Sequence, residues 1–209
     1  MSTSFNAQGR KRDEKVIEIG EQGPFTLRHL LHLGLFPSKQ TASRRLWKLK
    51  GKLYQVGKLH LDALFDNKEE YWCRRNIKRD NLLHEAYTME VVLAYYPCVF
   101  MMGADVNQTM LPDATLTIGG NTYHVELDCD TMGRGQMSKR MLKYAGCTDT
   151  VLVVCLTESR MKRLMKWWSP LPNAYFSTIR QVVSDPYGPV WTGSDGQIAS
   201  VEKAVEQLV

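Results

Sequence analysis

The sequence predicts a mixed α/β chain in which a basic, largely helical N-terminal module precedes a sheet flanked by helices. Three observations carry this expectation. Lys and Arg outnumber Asp and Glu by 12 to 5 over residues 1–62, a balance of +7, whereas residues 63–209 carry −2. Between Leu111 and Asp128 two alternating runs are separated by Gly119-Gly120-Asn121, a hairpin signal. From Val151 to Leu156 the chain is continuously apolar, as a central strand covered on both faces is. At 209 residues, 44% hydrophobic and 23% charged, the composition is that of a folded protein of one medium or two small domains. No apolar run approaches the roughly 18 to 20 residues of a membrane helix, and the polar start carries no signal-peptide pattern. Five cysteines (Cys73, Cys98, Cys129, Cys147 and Cys155) contain no CxxC pair. Neither a disulfide framework nor a zinc site is suggested by their spacing, and a cytoplasmic chain with reduced thiols is expected.

Taken in order, residues 1–22 hold Arg10-Lys11-Arg12 in a polar context and are expected to form a basic flexible arm. Thr26 precedes Leu27, Leu30 and Leu31, with Gly34 as a stop, which predicts a short amphipathic helix. Ser38 is placed to cap a second helix from about Lys39 to Lys50, with Ala42, Leu46 and Leu49 on its inner face. Residues 53–61 alternate about Gly57 and read as two short strands. Helix, tight turn, basic helix and hairpin is the order of a winged helix-turn-helix, here assigned to residues 23–66. On that reading Lys39, Gln40, Ser43 and Arg44 reach base edges of double-stranded DNA, while Lys48 and Lys58, with Arg45 and Lys52, contact phosphates. A winged helix that binds protein instead remains open.

Residues 68–79 are charged and predict a connecting helix or linker. A helix starts at His84-Glu85-Ala86, with Met89, Val92 and Leu93 continuing its apolar stripe, and Val99–Met102 reads as a buried strand. After the hairpin, residues 136–144 form a basic helix with Met137, Met141 and Tyr144 at helical spacing. The apolar strand at 151–156 and a helix from Thr157 to Lys166 follow. The tail, with Pro170, Pro172, Pro186 and Pro189, reads as irregular until a short helix near 201–208.

The chemistry concentrates in the hairpin. Side chains alternate along a strand, so His124, Glu126 and Asp128 share one face, opposite Tyr123, Val125 and Leu127. Asp113 opens the preceding strand in a Pro-Asp pair. Acids converging at strand ends suit a hard divalent ion, which takes one or two carboxylates together with waters and substrate phosphates. Solvated acids on a surface hairpin are the alternative.

Leu-Pro-Asp-Ala, Val-Glu-Leu-Asp, the His-Glu helix start, the basic helix ending in Tyr and the N-terminal winged helix together resemble the plasmid replication-relaxation proteins. They are also similar to mobilisation relaxases with a restriction-endonuclease-like PD-(D/E)xK core. The resemblance spans residues 25–165. It implies a nuclease domain over 67–209, with Asp113 and Glu126 holding Mg²⁺ or Mn²⁺ and Asp128 contributing to metal binding. The implied activity is cleavage, or nicking, of one DNA strand at a plasmid-origin-like site, with accessory mobilisation proteins as partners. The alternative is an inactive DNA-binding regulator of replication or transcription that keeps the core as a scaffold.

By the same resemblance Glu85 on the first core helix, with Glu90 as substitute, assists, and His84 either orients water, acts as a general acid or is structural. Asp128 stands where the wider superfamily has Lys. Either the missing positive charge comes from Lys139, Arg140 or Lys143, with Arg140 preferred, or Asp128 helps bind a second metal, or the core is an inactive scaffold. Tyr144 is either a covalent nucleophile or a packing residue that donates one hydrogen bond.

Overall fold

The computed structural model describes residues 2–103 and 111–201. The chain divides into two compact units, Met1–Met89 and Glu90–Val209, so the division falls later than the expected boundary after residue 66.

In the first unit α1 spans Ser2–Gln22. The expected flexible arm is therefore a helix. Val16 and Ile19, one turn apart, are buried, and Asp13 forms an ion pair with Arg45 (Nε to Oδ1, 2.6 Å). Helix α2 spans Leu27–His32, its first turn closed by Thr26, whose hydroxyl accepts from the His29 amide while His29 Nδ1 accepts from the Thr26 amide. Helix α3 spans Lys39–Lys48, capped by Ser38 as expected and buried through Ala42 and Leu46.

The segment after α3 departs from expectation. Strand β1 (Tyr54–Leu59) runs straight through Gly57 and pairs antiparallel with β2 (Glu69–Cys73). The register shifts between Gln55 and Gly57, so a bulge at Val56, beside Gly57 at φ +150°, stands where a turn was expected. The charged 68–79 segment, expected to be helix or linker, thus supplies a strand. Glu69 and Glu70 are half-buried, but Tyr71, Trp72 and Cys73 are core residues, and Trp72 exchanges backbone hydrogen bonds with Phe25 on its other side. Helix α4 (Arg79–Ala94) begins five residues before His84.

The second unit is a mixed sheet of seven strands in chain order: β3 (Val99–Met102), β4 (Ala114–Ile118), β5 (Asn121–Asp128), β6 (Thr150–Cys155), β7 (Ala174–Thr178), β8 (Trp191–Gly193) and β9 (Ile198–Ala199). β5, β6 and β7 are parallel to one another, and the outer pairings are antiparallel. The β4–β5 hairpin forms as expected, turning at Gly119 and Gly120, both at positive φ. Strand β6 is buried throughout after Thr150. Strand β3 is not the buried strand expected: it is the sheet edge, and Val99 and Met101 are exposed. The proline-containing tail, expected to be irregular, adds β7, α7 (Ile179–Ser184), β8 and β9. The helix expected near 201–208 lies, apart from Val201, outside the described residues.

Helices α5 (Arg134–Leu142) and α6 (Glu158–Trp167) cover one sheet face. Their Met137 and Leu164, with Tyr144 and Trp168, pack on Val151, Val153, Cys155, Ala174 and Phe176. The parallel register sets His124, Glu126 and Asp128 beside Val151, Val153 and Cys155. The polar row of β5 therefore lies under α5 and α6, inside the domain.

Candidate functional site

Each acid of that row meets a cation from a covering helix. Glu126 is 2% exposed at the residue level. One of its carboxylate oxygens forms an ion pair with Arg140 Nε, and the other accepts from the Tyr144 hydroxyl. Asp113, just ahead of β4, lies across the same guanidinium, with Arg140 Nη2 donating to Oδ1 at 2.7 Å. Its Oδ2 accepts from the Leu127 amide at 2.7 Å, and its backbone amide donates to Val125. Two strands and one helix thus converge on a single guanidinium. Met137, Arg140 and Tyr144 stand three and four residues apart, so one helix face and its following turn deliver all three.

Burial opposes the Arg140 charge, but the charges of Glu126 and Asp113 outweigh it and raise the guanidinium pKa. Tyr144 moves the same way for a different reason: burial, then the Glu126 charge, push the phenol far above its ordinary value. It is a hydrogen-bond donor held protonated.

Asp128 faces a second cation. Arg160 Nε and Nη2 donate to its two oxygens at 2.5 and 3.0 Å, and both side chains are 3% exposed. Arg160 also donates to the Met132 carbonyl at 2.6 Å and approaches Asp130 at 3.1 Å. Sequence reading missed Arg160. It lies 32 residues from its partner at the start of α6, where a charged residue reads as solvated.

At the other end of the row, His124 is fully buried. Its Nδ1 is 3.4 Å from the Thr115 hydroxyl, and its Nε2 is 3.3 Å from Asp149 Oδ2.

The expected assisting groups lie on α4. Glu85 forms an ion pair with Arg75 in the first unit (2.5 Å), His84 is half-buried beside it, and Glu90 is buried in the second unit. Among the expected DNA contacts, Lys39, Gln40, Arg44 and Lys48 are exposed on α3, Ser43 is half-buried, and Lys58 is exposed on β1. Arg45, 33% exposed, forms an ion pair with Asp13. Trp47, 52% exposed on α3, packs edge-on against Trp72 with ring centres 5.7 Å apart.

No protein-family model and no curated protein matches this chain.

Proposed function

We propose that this chain is a DNA-binding protein whose sheet domain nicks one DNA strand with Mg²⁺ or Mn²⁺. The observation that carries the reading is the convergence of Asp113 and Glu126, from neighbouring strands, on one guanidinium. Two carboxylates turned to one cation are the donor set that a hard divalent ion takes, the remainder being waters and a substrate phosphate. Asp128 is left out of that set because its pair with Arg160 is closed, each side chain 3% exposed, whereas Arg140 and Asp113 are 16% and 14% exposed. The ion is thus assigned to Asp113 and Glu126. Bound there, it would polarise a scissile phosphate and activate water.

The chain's own groups have separate tasks. The Leu127 amide fixes the Asp113 carboxylate, and Tyr144 fixes that of Glu126. Arg140 supplies the positive charge that a phosphate needs beside two acids, in place of the superfamily's Lys. Tyr144, buried and protonated, positions Glu126 and is not the nucleophile. Glu85, occupied by Arg75, has no part in this reading.

We read α2, α3 and the β1–β2 hairpin as a winged helix-turn-helix. Lys39, Gln40, Ser43 and Arg44 are assigned to bases, and Lys48 and Lys58 to phosphates. The test is nicking of supercoiled plasmid in Mg²⁺. The parent converts it to the open circle, chelator stops the reaction, and Asp113→Ala and Glu126→Ala abolish it. Nicking that survives both substitutions overturns the assignment.

The second reading is a DNA-binding regulator with an inert core. What favours it is that Asp113, Glu126 and Asp128 are all already matched by arginines. It predicts salt-sensitive duplex binding indifferent to metal and to Asp113→Ala.

A further inference from the structure

A second cluster lies outside the acid–arginine site. His124 Nε2, Cys147 Sγ and a carboxylate oxygen of Asp149 lie within 4.8 Å of one another. His124 is fully buried, and Asp149 Oδ2, 3.3 Å from its Nε2, is the polar group that meets that nitrogen. An imidazole nitrogen and a carboxylate oxygen turned to one another, with a thiol beside them, bring three metal-ligand types to one point.

In the tautomer with the proton on Nδ1, Thr115 Oγ1 at 3.4 Å accepts it, and the Nε2 lone pair is then offered toward Cys147 and Asp149. The two other donors, two residues apart, ride a turn braced by Asn173, whose amide donates to the carbonyls of Cys147 (2.9 Å) and Asp149.

We propose that His124, Cys147 and Asp149 form a binding site for a borderline-soft divalent ion of the zinc class, separate from the Asp113–Glu126 site. One imidazole, one thiolate and one carboxylate are zinc ligands, and three protein ligands with a fourth position left open are an arrangement zinc adopts. Donors in a tetrahedral zinc shell stand about 3.5 Å apart. His124 and Asp149 already have that spacing, so only the half-buried Cys147 thiol must turn toward them.

Burial raises the Cys147 pKa in the metal-free protein, and binding would displace that proton as metals do from ligand thiols. Entry is open, because Asp149 is 45% exposed and Cys147 lines a cavity of about 590 Å³ with Met141, Leu142 and Pro172. A hard ion at Asp113 and Glu126 and a softer one here would not compete, since thiolate selects against Mg²⁺.

The test is Co²⁺ titration of the full chain, read by absorption. Tetrahedral cobalt with a thiolate ligand gives intense visible bands and a near-ultraviolet sulfur-to-cobalt charge-transfer band, and stoichiometric Zn²⁺ should bleach both. Cys147→Ser should lose the charge-transfer band, and Asp149→Asn should weaken Co²⁺ binding roughly tenfold or more. Asp113→Asn should leave the sulfur-to-cobalt charge-transfer band unchanged, which separates this site from the proposed nuclease site. Both substituted ligands are partly exposed, and circular dichroism reports whether each variant folds. Absence of the charge-transfer band in the parent, or a charge-transfer band that persists in Cys147→Ser, would overturn the proposal.

Discussion

Two acid–arginine sites sit two residues apart on the same face of β5, and they are built differently. At Asp128 one carboxylate meets one guanidinium through both oxygens, with each side chain 3% exposed and the Met132 carbonyl taking a further donor. At Glu126 the guanidinium of Arg140 is shared between two carboxylates, and Arg140 and Asp113 are 16% and 14% exposed. A closed, saturated pair holds α6 against the sheet. A shared, partly open cation between two acids is a place where another cation can enter. The difference gives the Asp128–Arg160 pair a structural part and leaves the Arg140 group as the place of the proposed chemistry.

The largest expected effect falls on the closed pair. Asp128→Ala leaves a buried guanidinium without its main partner and should cost about 3–5 kcal/mol in denaturant unfolding. Replacing both partners, Asp128→Leu with Arg160→Met, should cost less than either change alone, since a buried pair is often exchanged for apolar residues at little loss. A double variant as unstable as the sum of the singles would break the structural assignment. Tyr144→Phe comes next. It removes a hydrogen bond to a buried carboxylate and should cost roughly 1.5–3 kcal/mol. Nicking by that variant should persist, whereas a covalent tyrosine would make it vanish.

Asp113→Asn should be milder, below about 1.5 kcal/mol, because Arg140 keeps Glu126 and the amide oxygen can still accept from Leu127. A loss equal to that of Asp128→Ala would erase the distinction between the sites. The smallest effects belong to the first unit. Lys48→Ala or Lys58→Ala should lower the salt slope of duplex affinity by about one each, read by fluorescence anisotropy across a salt series. An unchanged slope would remove those residues from the phosphate contacts.

What the sequence made legible was local. Gly119-Gly120 between alternating runs placed the hairpin, Ser38 placed the start of α3, and the run after Thr150 placed the central strand. The choice of Arg140 as the cation nearest the motif acids agrees with its position between Asp113 and Glu126. Its role in catalysis is a separate proposal.

What was not legible depended on distant partners. Glu69-Glu70 disguised β2, whose inner residues are buried only because Phe25 pairs beside them. The apolar 99–102 segment looked central, but its place at the sheet edge leaves alternate residues in solvent. Arg10-Lys11-Arg12 suggested a flexible arm, while Val16 and Ile19 anchor a helix. The His124, Cys147 and Asp149 group has no motif spacing, because a crossover through α5 separates the histidine from the other two.

The most direct measurement is Mn²⁺ binding to the free protein by calorimetry, made in a Cys147→Ser background so that the thiolate cluster stays silent. The account predicts one binding event that Asp113→Asn weakens strongly and Asp128→Asn, provided it folds, leaves in place. No heat at millimolar Mn²⁺, or an event indifferent to Asp113→Asn, would contradict it.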